Sequence, residues 1–112
     1  MTVRELIETL PAKVLTGEDH LDKEVADGYC CDLLSWVMAH GKRNGAWITV
    51  QTHLNTVAVA SLLDLACIII PEDIEVNEQT LSKANEEGIA VLSTSLTGYQ
   101  ASGRLITLGI EG

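Results

Sequence analysis

Trp47-Ile48-Thr49-Val50 runs into Gln51-Thr52-His53-Leu54-Asn55, and Thr56-Val57-Ala58-Val59-Ala60 follows at once. A short apolar-rich strand breaks into a polar cluster, and the cluster opens a helix. Open α/β proteins place ligands at such junctions, because the loop lies at the carboxyl end of a buried strand. Gln51, Thr52, His53 and Asn55 all carry hydrogen-bonding side chains there, and a helix start adds unpaired backbone N–H groups. Capping of the helix by Thr52 or Asn55 is the competing role for these side chains.

The same strand–helix order repeats along the chain. Ala46–Val50, Ala66–Ile70 and Ile89–Leu92 read as strands, and Asn55–Leu65 reads as a helix. Asn77 caps a further helix that ends at Gly88, and a weaker helix spans Leu96–Ser102. Alternating strands and helices predict right-handed βαβ units and a parallel sheet. Ile68-Ile69-Ile70 and Ala90-Val91-Leu92 are continuously apolar, as strands covered on both faces must be. The expected architecture is a three-layer α/β/α sandwich with a largely parallel sheet, in a single domain over residues 1–112.

Toward the amino terminus, Thr2 and Glu5 have the spacing of a capping box. Val3, Leu6, Ile7 and Leu10 then share one helical face that Pro11 ends. Val14-Leu15 and Val25–Cys31 read as strands, and Asp32 as the N-cap of a helix over Leu33–His40 stopped by Gly41. Arg104–Ile110 alternates like a strand. The helices over 32–40 and 55–65 are apolar on nearly every side, so a second chain is an expected cover. A homodimer follows as the expected assembly.

With 46% hydrophobic and 21% charged residues, the chain has a globular composition. No apolar run reaches the roughly 18 residues of a membrane span. Met1-Thr2-Val3-Arg4-Glu5 lacks the order of a secretory signal, so the expected location is cytoplasmic. The net charge of −9, with seven dispersed cations, argues against a nucleic-acid partner, which needs clustered Lys and Arg. Helix N-termini can still hold a small phosphorylated molecule.

No catalytic set is legible. Ser35 lacks a nucleophile elbow, and the segment Thr97–Gly103 is no phosphate loop. His20, His40 and His53 lack metal-ligand spacing. Cys30 and Cys31 are adjacent, so on a strand they face opposite ways, and Cys67 sits in an apolar run. A small enzyme or a redox or metal accessory using His53 or Cys30-Cys31 is the alternative function. Parallel strands bring their carboxyl ends to one edge, where Asp32, Gln51, Thr52, His53, Asn55 and Thr94 are the expected ligand-binding residues. No cofactor is named by the sequence.

Leu21-Asp22-Lys23-Glu24-Val25, Asp32–Met38, Trp47–Asn55 with Val57–Leu62, and Lys83-Ala84 ahead of Ile89–Leu92 resemble the stand-alone DRTGG-domain proteins. The name-giving motif is eroded. It aligns loosely to Asp22–Gly28, with Lys23 where arginine is usual, Ala26 for threonine and Asp27 for glycine. The resemblance implies an α/β module similar to the N-terminal domain of HPr kinase/phosphorylase. Related modules sit beside CBS domains in some pyrophosphatases and in some phosphotransacetylases, as regulatory or dimer-forming parts. It implies a non-catalytic module sensing a small ligand, with an adenine nucleotide as the first candidate. The kinase chemistry of that family belongs to a separate phosphate-loop domain.

Overall fold

Eleven short elements follow one another in the computed structural model, which describes residues 1–112. They are α1 (Val3–Thr9), β1 (Ala12–Val14), a 3-10 turn (Glu18–His20), β2 (Asp27–Cys30), α2 (Leu34–His40), β3 (Gly45–Ile48), α3 (Leu54–Leu62), β4 (Cys67–Ile70), α4 (Glu78–Glu87), β5 (Ala90–Thr94) and α5 (Gly98–Thr107). The five strands form one sheet in the order β1-β5-β4-β3-β2. β2 to β5 are parallel, and β1 runs antiparallel to β5. The expected three-layer α/β/α fold is what forms.

From β2 to β5 each crossover steps to the next strand in the same direction. Right-handed crossovers that never reverse put their helices on one face. Accordingly Val37 of α2, Val57 and Ala60 of α3 and Ala84 of α4 pack with Trp47, Ile68, Ile70 and Val91. The other face needs helices from elsewhere, and the two ends of the chain supply them. Val3, Leu6 and Leu10 from the α1 segment, with Ala101 and Leu105 of α5, cover Ala46, Ile48, Cys67, Ile69, Ala90 and Leu92. Alternate residues of each strand thus feed two separate cores, so continuous apolar runs are required.

Local signals set most boundaries. Thr2 and Glu5 form their capping box, and Asn77 Oδ1 accepts the Thr80 N–H at 2.9 Å. Gly88 closes α4 in the left-handed conformation. Gly41 ends α2 for a packing reason instead. A Cβ there would meet the Val37 carbonyl oxygen and Leu63 Cδ1, each at 2.9 Å.

Two expectations are corrected. Arg104–Ile110 is not a strand, because α5 runs through Thr107. Ala101, Leu105 and Leu108 recur at helical spacing toward the core, while Arg104 and Ile106 face water. The first strand is Ala12–Val14, two residues ahead of the expected start at Val14, since its register on β5 pairs Ala12 with Thr94. No helix is long and apolar enough to cross a membrane.

Candidate ligand-binding edge

Because the strand order does not reverse between β2 and β5, the crevice that a reversal creates is absent from that stretch. The layer change comes after β5. The chain passes over the carboxyl edge, and α5 returns across the opposite face to pack on β2 and β3. The start of α5 therefore hangs over the ends of β2, β3 and β4. A cleft of about 190 Å³ opens there, lined by Cys30, Asp32, Ile48, Thr49, Val50, Pro71, Glu72 and Gly98.

Asp32 organises one wall. Its Oδ1 accepts the Thr49 hydroxyl and the Val50 N–H, both at 2.9 Å. The Asp32 carbonyl accepts from Gln51 Nε2 at 3.2 Å, and Thr49 Oγ1 accepts the Gln51 N–H at 3.1 Å. Asp32 is thus not the N-cap of α2; that position is Leu33, with no side-chain cap. The buried Thr49 hydroxyl needs an acceptor inside the fold, whereas water can serve the exposed start of α2.

The other expected residues scatter. His53 is the N-cap of α3, its Nδ1 accepting the Asn55 N–H at 3.1 Å, which leaves the ring proton on Nε2. Neither Thr52 nor Asn55 caps that helix. The Thr52 carbonyl accepts the Thr80 hydroxyl at 2.8 Å and so ties the loop to α4. Asn55 lines a groove between α2 and α3. Thr94 is buried on the α1 side of the sheet, donating to the Leu10 carbonyl at 2.9 Å and accepting the Leu96 N–H at 3.2 Å. Of the expected residues the structure therefore puts only Asp32 in the cleft lining, with Gln51 bonded to its carbonyl outside that lining, holds His53 and Asn55 at the α3 start, and spends Thr94 on the core.

Glu72 lines the cleft outside the expected set, and so does Gly98. The signal for Gly98 was the capping box Thr97–Gln100, in which Gln100 N–H donates to Thr97 Oγ1 at 3.1 Å and Thr97 N–H to Gln100 Oε1 at 3.0 Å. The box starts α5 at Gly98. The first-turn N–H groups of Gly98 and Tyr99 have no acceptor within the helix, and they carry its positive end. Asp32 and Glu72 put two carboxylates in an otherwise uncharged lining, and no lysine or arginine reaches it. The arrangement suits a ligand with hydroxyl or amino donors for the carboxylates and one anionic group for the α5 start.

The cysteines do not combine. Cys30 is exposed and lines the cleft on the α5 side, while Cys31 packs against the core of the opposite face. Burial pushes the Cys67 thiol up to about 12, so it stays protonated and inert. No three His, Cys, Asp or Glu side chains converge as a metal site.

A sheet wound in one direction, closed by terminal helices and bearing a cleft at its carboxyl edge, defines a small α/β module. The DRTGG domain model matches residues 5–108, and the chain belongs to the DRTGG-domain family. Among solved structures, the chain is similar to the CBS and DRTGG domains of the regulatory region of Clostridium perfringens pyrophosphatase, crystallised with the activator diadenosine tetraphosphate. The TM-score is 0.72 at 14% identity, covering 94% of this chain and 46% of that one. At that identity the likeness is one of fold, and this chain spans about half of that structure. The comparison with curated proteins gives no match.

The segment aligned with the family's name-giving motif lies away from this cleft. Lys23 Nζ donates to Asp64 Oδ1 at 3.2 Å and to the Leu65 carbonyl at 3.1 Å, just ahead of β4. Asp22 pairs with Arg4, and Asp27 begins β2 opposite Gly45. These contacts secure the amino edge of the sheet.

Proposed function

We propose that this chain is a non-catalytic regulatory module that senses a small phosphorylated ligand, an adenine nucleotide first, and forms homodimers. The observation that carries the reading is the match of 94% of the chain to part of a regulatory region crystallised with an adenine dinucleotide activator, together with membership of the DRTGG family. Kinship with the N-terminal domain of HPr kinase/phosphorylase, implied by the sequence, belongs to the same proposal.

The cleft supplies a chemical rationale. Ribose hydroxyls and an adenine amino group are donors, and Asp32 and Glu72 are acceptors. A phosphate would sit against the N–H groups of Gly98 and Tyr99. At about 190 Å³ the cleft is smaller than the roughly 300–1,000 Å³ usual for whole ligands. It takes one nucleobase or sugar and leaves the remainder of a dinucleotide outside. Thermal-shift measurements with AMP, ADP, ATP and diadenosine tetraphosphate test the reading. A ligand at 100 times its Kd adds about 2.7 kcal/mol of stability, so the melting temperature should rise with concentration. A melting temperature unmoved by all four would refute it.

A further inference from the structure

Taking the dimer-forming module proposed above as given, we infer that the second copy seats on the face formed by α2 and α3. A groove of about 370 Å³ runs between these helices, lined by Leu34, Met38, Asn55, Ala58, Val59 and Leu62 among others. Its rims stand out into solvent: Leu62 is 71% exposed and Met38 44%. Leu33, Trp36 and Leu54 extend the exposed apolar surface on the same two segments.

Charge selects the occupant. The chain has 16 acidic and seven basic side chains. Not one of them lies within Leu34–His40 or Leu54–Leu62. A basic partner would find no carboxylate on these helices, and an acidic one no cation. A second copy also carries −9, so it can approach closely only where no like charges are set against one another. At physiological salt, charges beyond about 8 Å are screened, which leaves the uncharged face as the tolerant one.

Shape points the same way. A two-fold contact uses one patch on both copies, so that patch must hold both projection and recess. Leu62 is the projection, and the small Ala58 with Val59 floors the recess beside it. A stable interface of about 1,200 Å² in total takes about 600 Å² from each copy, near a tenth of the 5807 Å² surface. The α2 and α3 helices already lie side by side, so one continuous face is available.

Sedimentation velocity on the full chain, across a wide concentration range, tests this with Leu62→Glu, Met38→Glu and Ile106→Glu. Ile106 is exposed on α5, beside a separate apolar hollow on the opposite face of the sheet. The expected result is a species of twice 12.1 kDa for the wild type and for Ile106→Glu. Leu62→Glu and Met38→Glu should raise the dimer dissociation constant at least about 30-fold, the scale of a hot-spot loss. Circular dichroism confirms that each variant is folded, and Met38→Glu decides if Leu62→Glu is not. Dimers that survive both folded groove variants, with or without dissociation in Ile106→Glu, overturn this surface and leave the dimeric module standing. A wild type that remains monomeric at high concentration overturns both.

Discussion

The Asp32 carboxylate accepts the buried Thr49 hydroxyl at 2.9 Å, joining the segment that enters α2 to the segment that leaves β3. The same oxygen takes the Val50 N–H, so one side chain holds the rim of the cleft and the two loops that launch the α2 and α3 helices. A ligand donor competing for Asp32 would act on both helices at once.

Replacing Asp32 by alanine leaves the Thr49 hydroxyl without its acceptor. The expected cost is about 1–3 kcal/mol in urea unfolding, the range for a stranded hydrogen-bonding group. In the Asp32→Ala background, Thr49→Val should cost far less than it does in the wild type, because the group that needed a partner is gone. Additive losses would show that the two residues are not coupled.

Thiol chemistry should separate the three cysteines. Cys30 is exposed, and Cys67 is buried with its thiol pushed up to about 12. A disulfide-exchange reagent at pH 8 should label Cys30 in the folded protein and reach Cys67 only after denaturant is added. Equal labelling of Cys67 in the native protein would contradict the packing of β4.

Acid should weaken the amino edge of the sheet. The hydrogen bond and charge of Lys23, with help from Arg43, hold the Asp64 carboxyl below its ordinary value. A carboxylate lowered by folding contributes stability that is complete above its unfolded pKa, and that contribution is lost as pH falls through the folded one. The stability gap between wild type and Asp64→Asn should therefore be present at pH 6 and close below about pH 4. It should also be small, since the Asp64 side chain is half-exposed to solvent. A gap constant down to pH 2.5 would exclude the ion pair as its source.

The three-layer fold was legible because its evidence was local and repeated. Continuous runs such as Ile68-Ile69-Ile70, and end signals at Thr2, Asn77 and Gly88, each restrict one element. Arg104–Ile110 misled because alternation over seven residues fits a strand and a helix alike. Only the distant contact of Leu105 with the sheet core settles it. The candidate cleft was legible as an edge and not as a set of residues. His53 is outside the usual capping types, and nothing local distinguishes a capping imidazole from a ligand-binding one. Thr94 depended on the antiparallel β1, whose approach claims its hydroxyl through Leu10. Gly98 entered the cleft only because α5 crosses to the other face, a matter of topology that no short stretch encodes.

Titration calorimetry of AMP, ADP, ATP and diadenosine tetraphosphate against the wild type and Gly98→Leu tests the central claim most directly. A side chain at Gly98 starts 3.9 Å from Cys30 Sγ and Ile48 Cγ2, both in the cleft lining, so leucine fills the space without removing any polar group. The account predicts saturable binding of at least one nucleotide by the wild type. It predicts at least a tenfold loss in Gly98→Leu, about 1.4 kcal/mol, with folding unchanged by circular dichroism. No binding of any of the four, or equal binding by both proteins, would contradict a ligand site at this edge.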